Sequence, residues 1–177
     1  MPRVLFALLE SDLGPMLAAR TGSGVAAITR DSELEQFLES LRRRFGGPIE
    51  PHPDALEPVA RQIAEYMSGR RRSFRCVLDL GGLAAFDAAV YRAARAIPYG
   101  ATATYGELAA RIGHPGAARA VGNAMARCPL FPLVPCHRVV RAADGFGGWG
   151  SHPAVKRRLL DLEAAALLQG GRSAGSR

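Results

Sequence analysis

Apolar residues cluster in short blocks at Val4–Leu9 and Gly24–Thr29, which predicts two strands separated by a Gly-rich turn at Thr21–Gly24. From Ser32 the period changes. Leu34, Phe37, Leu38, Leu41 and Phe45 recur at helical spacing and share one face. Ser32 and Glu35 have the spacing of a capping box, Arg42–Arg44 suit the carboxyl end of the dipole, and Gly46-Gly47 stops the helix. Gly46–Pro53 reads as a loop. Asp54 and Glu57 repeat the capping spacing ahead of a helix that groups Leu56, Val59, Ile63 and Met67 and ends near Gly69. Cys76–Leu80 predicts a third strand with Cys76 as a buried thiol, and Gly81-Gly82 marks a domain boundary.

The second half is mainly helical. Phe86–Ile97 is amphipathic, with Phe86, Val90, Ala93, Ala94 and Ile97 inward, and Pro98-Tyr99-Gly100 breaks it. Two short helices, Tyr105–Ile112 and Ala117–Ala126, flank a tight turn at Gly113–Gly116, which reads as helix-turn-helix. Cys128–Val140 is apolar and punctuated by proline, 144–151 is a Gly-rich loop, and Ala154–Leu168 closes the chain as a helix. Residues 169–177 are rich in Gly, Ser and Arg and are expected to be disordered.

Composition narrows the class. The chain has 177 residues, 48% hydrophobic and 22% charged, enough for a buried core in one or two small domains. Its net charge of +7 favours polyanionic partners. The N-terminus is too short and too acidic for a secretion signal, and no apolar run approaches the roughly 20 residues of a membrane span. The three cysteines show no Cys-x-x-Cys pair and the four histidines no metal-ligand spacing, so free thiols in a cytosol and no metal are expected.

Cys136 and His137 are the candidate chemistry, because a thiolate beside a base is a nucleophile. Neighbours in a strand point to opposite faces, so the pair can meet only in a turn, which Pro132 and Pro135 allow. Alone, the dipeptide is weak evidence and reads more readily as a buried cysteine beside a surface histidine.

Five ordered pieces make a stronger case: Ile97-Pro98-Tyr99-Gly100, Thr104–Ala109, Ala117–Gly122, Pro135-Cys136-His137-Arg138-Val139-Val140, and Val155-Lys156 with Glu163 beyond. Together they resemble the O6-alkylguanine-DNA alkyltransferase family, strongly from about Phe86 to Glu163 and faintly before. The resemblance implies an α/β protein in two parts. Residues 1–80 would form a small ribonuclease-H-like support domain, and 82–168 a mainly helical winged helix-turn-helix domain. It implies single-turnover repair of double-stranded DNA, in which the alkyl group of O6-alkylguanine, with O4-alkylthymine as a second substrate, moves to Cys136.

The same resemblance assigns the roles. His137 takes the thiol proton through a water, Glu163 orients His137, and Tyr105 donates toward guanine N3. Arg119 fills the gap left by the flipped nucleotide from a helix in the minor groove, and Thr104 and Asn123 touch phosphates. Val139, Trp149 and Gly150 read the base edge, while Pro135, Arg138 and Cys128 shape the turn. No cofactor is implied, because the alkyl group comes from the DNA, and the protein is expected to be a monomer in the cytoplasm, or in the nucleus of a eukaryote.

The chain departs from the family at Cys128, where Asn is usual, at Trp149, where Tyr is common, and at Gly150-Ser151-His152. Three other readings compete. A non-catalytic relative would carry Trp at the nucleophile position, which Cys136 opposes. A transcription regulator would leave Cys136, His137 and Glu163 unexplained. A cysteine hydrolase would need turnover, which a thioether product forbids.

Overall fold

The computed structural model describes residues 1–30, 32–143, 145–146 and 153–173, with 169–173 by backbone alone. The chain forms two units, one made of Met1–Ala85 with Pro129–Leu133, the other of Phe86–Cys128 with Val134–Arg177. The division thus falls after Ala85 rather than at Gly81-Gly82, and the first unit reclaims a segment expected in the second.

In the first unit, β1 (Val4–Leu9), β2 (Met16–Thr21) and β3 (Gly24–Thr29) form an antiparallel meander, and β4 (Ile49–Pro51) adds parallel to β1, giving the order β3-β2-β1-β4. Two of these strands escape the sequence pattern. In β2, Met16, Leu17, Ala18 and Ala19 are all buried, so the alternation of a half-exposed strand is missing. In β4, Pro51 disguises an edge strand as loop.

Helix α1 (Leu34–Phe45) buries Phe37 and Leu41 against Val4, Leu17, Ala19 and Ala27. Its predicted cap is corrected: Glu33 is the N-cap without a side-chain bond, and Ser32 Oγ sits 3.2 Å from Thr29 Oγ1 instead. Gly46, at φ 65°, caps its carboxyl end. The second predicted box fails similarly. Asp54 lies in a single 3₁₀ turn, Pro53–Ala55, where His52 Nδ1 accepts from Ala55 N–H at 3.2 Å. Helix α2 (Glu57–Met67) then buries Val59, Ile63, Tyr66 and Met67.

Cys76–Leu80 is not a strand. It meets β3 only at an isolated bridge, Val25 to Leu78, and Cys76 is half-buried. Gly24 permits that approach: at φ 144° it lacks a Cβ that would sit 2.5 Å from Val77 O. Leu130 bridges Ile28 on the same strand, which is why Pro129–Leu133 joins this unit.

The second unit holds α3 (Ala85–Arg95), β5 (Ala103–Thr104), α4 (Tyr105–Arg111), α5 (Ala118–Ala126), β6 (Val139–Val140) and α6 (Pro153–Ser173). In α3, Val90 and Ala94 are buried as expected, and so are Asp87 and Tyr91, whereas Phe86 and Ala93 are half-buried. Both polar groups are partnered: Asp87 takes two bonds from Arg127, at 2.8 and 2.6 Å, and Tyr91 Oη donates to Ala124 O at 3.0 Å. Thr104 and Glu107 form a reciprocal capping box that opens α4. Helix α6 continues past Leu168 to Ser173, so that stretch is helical, not disordered; 174–177 lie outside the described residues.

Candidate active site

Pro135 has no N–H and a fixed φ, here −79°, so the chain leaves extended geometry at this point. Cys136–Arg138 form one 3₁₀ turn, closed by Arg138 N–H to Pro135 O at 2.9 Å. A strand would send Cys136 and His137 to opposite faces. The turn instead buries both, leaving them 2% and 0% exposed. The Cys136 thiol lies 3.4 Å from Val134 O, within donating reach.

Glu163 stands behind the turn. In α6, Lys156, Leu159 and Glu163 follow at helical spacing and are all buried. Glu163 Oε1 is 2.8 Å from His137 Nε2, and Oε2 accepts from Gly100 N–H at 2.7 Å. Arg138 donates to the same carboxylate from Nε, at 3.0 and 3.1 Å, and from Nη2, at 2.8 Å. Its Nη1 reaches Ile97 O at 2.7 Å. The charge of Glu163 is therefore matched by Arg138, which leaves His137 free to be neutral. Burial pushes the His137 pKa below its ordinary value; Glu163 works against that shift, while Arg138 and Lys156 reinforce it. A neutral ring donates an Nε2–H hydrogen bond to Glu163 Oε1, which makes Nδ1 the basic nitrogen.

The two-residue ladder of β5 on β6 pairs Ala103 with Val139 and Thr104 with Val140. It ties the amino end of α4, and so Tyr105, to the strand leaving the Cys136 turn. Tyr105 is half-buried, and a Cβ on Gly122 would lie 3.9 Å from its ring, so α5 approaches it closely. Val139 is buried, and Lys156 Nζ donates to its carbonyl at 2.7 Å. Lys156 and Arg157 also stand over the Phe146 ring, at 5.3 and 4.4 Å.

His137, Arg138 and Glu163 thus share one hydrogen-bonded cluster, and Cys136 lies beside it in the same turn, bonded to Val134 O. Arg119 and Asn123 do not join it: they are exposed four residues apart on α5, whose Val121, Ala124 and Met125 are buried. The Thr104 hydroxyl accepts from Glu107 N–H at 3.1 Å, which makes it a helix cap and leaves its proton available. Cys128 is half-buried, with its N–H 3.3 Å from Met125 O. Trp149 and Gly150 lie outside the described residues. Among the described residues no group of His, Cys, Asp and Glu is placed to hold a metal. Sequence reasoning gave no role to Lys156 or to the Gly100 N–H. Lys156 had one available signal, a cation on the buried face that also carries Glu163.

Comparison with known proteins gives the family of the chain. Residues 85–165 match the family model described as 6-O-methylguanine DNA methyltransferase, DNA binding domain. The methylated-DNA–protein-cysteine methyltransferase of Mycobacterium tuberculosis is 40% identical over 155 residues, 88% of this chain and 89% of that protein. The inducible enzyme of that name from Bacillus subtilis is 34% identical over 93% of each chain. Among solved structures, Mycobacterium tuberculosis OGT in complex with DNA superposes with a TM-score of 0.76 at 35% identity, over 93% of this chain and 94% of that one. The Pyrococcus kodakaraensis O6-methylguanine-DNA methyltransferase gives 0.60 at 25% identity, over 90% and 98%. Identity on this scale spans nearly the full length of both partners, and the chain belongs to the methylated-DNA–protein-cysteine methyltransferase family.

Proposed function

We propose that this protein repairs double-stranded DNA by moving the alkyl group of O6-alkylguanine, or of O4-alkylthymine, onto Cys136, once per molecule. The observation that carries the reading is the 2.8 Å contact between His137 Nε2 and Glu163 Oε1 directly behind the cysteine turn. A thiol with an ordinary pKa near 8.5 is mostly protonated at neutral pH, so attack needs a base. His137 Nδ1 takes the proton through a water. Sγ then attacks the alkyl carbon, the S–C bond forms, and the C–O6 bond breaks with its electron pair going to guanine. Tyr105 protonates the departing base at N3. The thioether does not hydrolyse, and no cofactor enters the balance.

The target atom is hidden in the duplex, so the nucleotide must leave the stack. Helices α4 and α5 support a helix-turn-helix reading in which α5 lies in the minor groove. Exposed Arg119 fills the gap, and Asn123 and Thr104 face phosphates. The short ladder β5–β6 fits the wing of such a domain, and the sheet with α1 and α2 fits a ribonuclease-H-like support. On this reading the protein acts as a monomer wherever its DNA lies, in a cytoplasm or a nucleus.

The test is peptide mass spectrometry after mixing with a duplex containing O6-methylguanine. One methyl on the Cys136 peptide and none with Cys136→Ala is expected, with DNA binding retained by the variant. Product beyond one equivalent would overturn the single-turnover step, and an unmodified Cys136 would overturn the whole reading.

A further inference from the structure

The first unit contains a cavity of about 300 Å³, lined by the β2–β3 hairpin, the start of α2 and the segment around Cys76. Its size is at the lower end of small-molecule pockets. Its apolar lining comes from Val25, Ala55, Pro58, Val59 and Val77.

Its polar side chains are one-sided in charge. Arg20, Arg75, Ser23 and Gln62 line it, and among the described residues no carboxylate does. Gln62 Oε1 already accepts from Arg75 N–H at 2.8 Å, so the amide offers its NH₂ group to the cavity side. Val77 O, a backbone acceptor on the rim, is taken by Val25 N–H at 2.9 Å. Among the described residues half-buried Arg20 makes two long bonds, both at 3.4 Å, to Thr21 O and Ala55 O, which leaves most of its five donors available. Neither Arg20 nor Arg75 forms an ion pair among the described residues. Two arginines, half-buried Arg20 and exposed Arg75, at one concavity with no carboxylate among its described lining residues are complementary to an oxyanion.

We propose that this cavity binds a small organic oxyanion, a phosphate monoester or a carboxylate, whose apolar body rests on Val25, Pro58, Val59 and Val77. The charged end is gripped by Arg20 and Arg75, with Ser23 and Gln62 as neutral donors. The site is separate from the alkyl-transfer chemistry and does not depend on it.

Amide NMR of the full chain, titrated at constant ionic strength with phenyl phosphate, benzoate and inorganic phosphate, tests the assignment. Saturable shifts confined to Gly22–Val25, Gln62 and Arg75–Val77 are expected. An aromatic anion should bind at least about tenfold more tightly than inorganic phosphate. Preference for phenyl phosphate identifies a phosphate ester, and preference for benzoate a carboxylate. Arg20→Gln with Arg75→Gln should weaken binding by about tenfold or more, with methyl transfer to Cys136 unchanged. Ser23 is exposed, so Ser23→Asp adds a repelling carboxylate without removing a buried contact and should produce the same loss. Linear, non-saturating shifts up to about 10 mM, or equal binding by the variants, would overturn the proposal.

Discussion

Arg138 makes three of its side-chain hydrogen bonds to Glu163, so the carboxylate that orients His137 is neutralised by the residue next to His137 in the chain. Both groups are nearly inaccessible, at 8% and 1% side-chain exposure. The imidazole, the carboxylate bonded to it and the guanidinium form one buried unit. Burial is the main reason its histidine favours the neutral form, and the Arg138 cation adds to it against the pull of Glu163.

Removing that cation should cost both stability and chemistry. Arg138→Met leaves Glu163 buried without its counter-charge, a loss of about 3–5 kcal/mol, read as a fall in the urea midpoint. The stranded carboxylate should also draw a proton onto His137, raising the imidazole pKa and slowing transfer at neutral pH. An unchanged NMR titration of the ring would show that Arg138 does not set its charge.

The His137 pKa is depressed below its ordinary 6.5, with burial the leading cause. Below that pH the unfolded chain takes up a proton that the native ring resists. The corresponding stability is complete above about pH 6.5 and declines as pH falls toward the folded value. Denaturation at pH 7.5 and 5.5 should show a smaller acid loss for His137→Gln than for the parent. Identical losses would remove this linkage.

Arg119 is exposed on α5 and outside the hydrogen-bonded cluster. Arg119→Ala should therefore slow repair in duplex DNA by about tenfold or more while attack on free O6-alkylguanine stays near the parental rate. Parallel losses in the two assays would count against a role in opening the duplex. Affinity for unmodified duplex should fall steeply as salt rises.

Thr104 caps α4 through a reciprocal bond with Glu107. Thr104→Ala should destabilise the protein by about 1 kcal/mol, and Thr104→Ser should recover most of it. If DNA affinity drops with Thr104→Ala and not with Thr104→Ser, the hydroxyl proton also meets a phosphate.

Much of this was legible from residue order. Two strands and both N-terminal helices follow from hydrophobic period, the α4–α5 pair from the Gly-containing turn between them, and the Pro-Cys-His-Arg-Val piece singles out the buried turn by its resemblance to the family. Periodicity failed where burial is two-sided, as in β2, or where an edge strand contains proline, as in β4. It also misread the caps at Ser32 and Asp54, because spacing does not say which backbone N–H groups are already occupied.

What the linear chain determined is the inventory: a thiol next to an imidazole, a carboxylate on the closing helix, and the spacing that identifies the family. Tertiary structure decided how they work together. Only folding brings α6 behind the Cys136 turn, joins Glu163 to His137, Arg138 and the Gly100 N–H at once, and excludes enough water to keep the ring neutral. Those relations link positions 25 to 63 residues apart, and no local pattern encodes a contact across that distance.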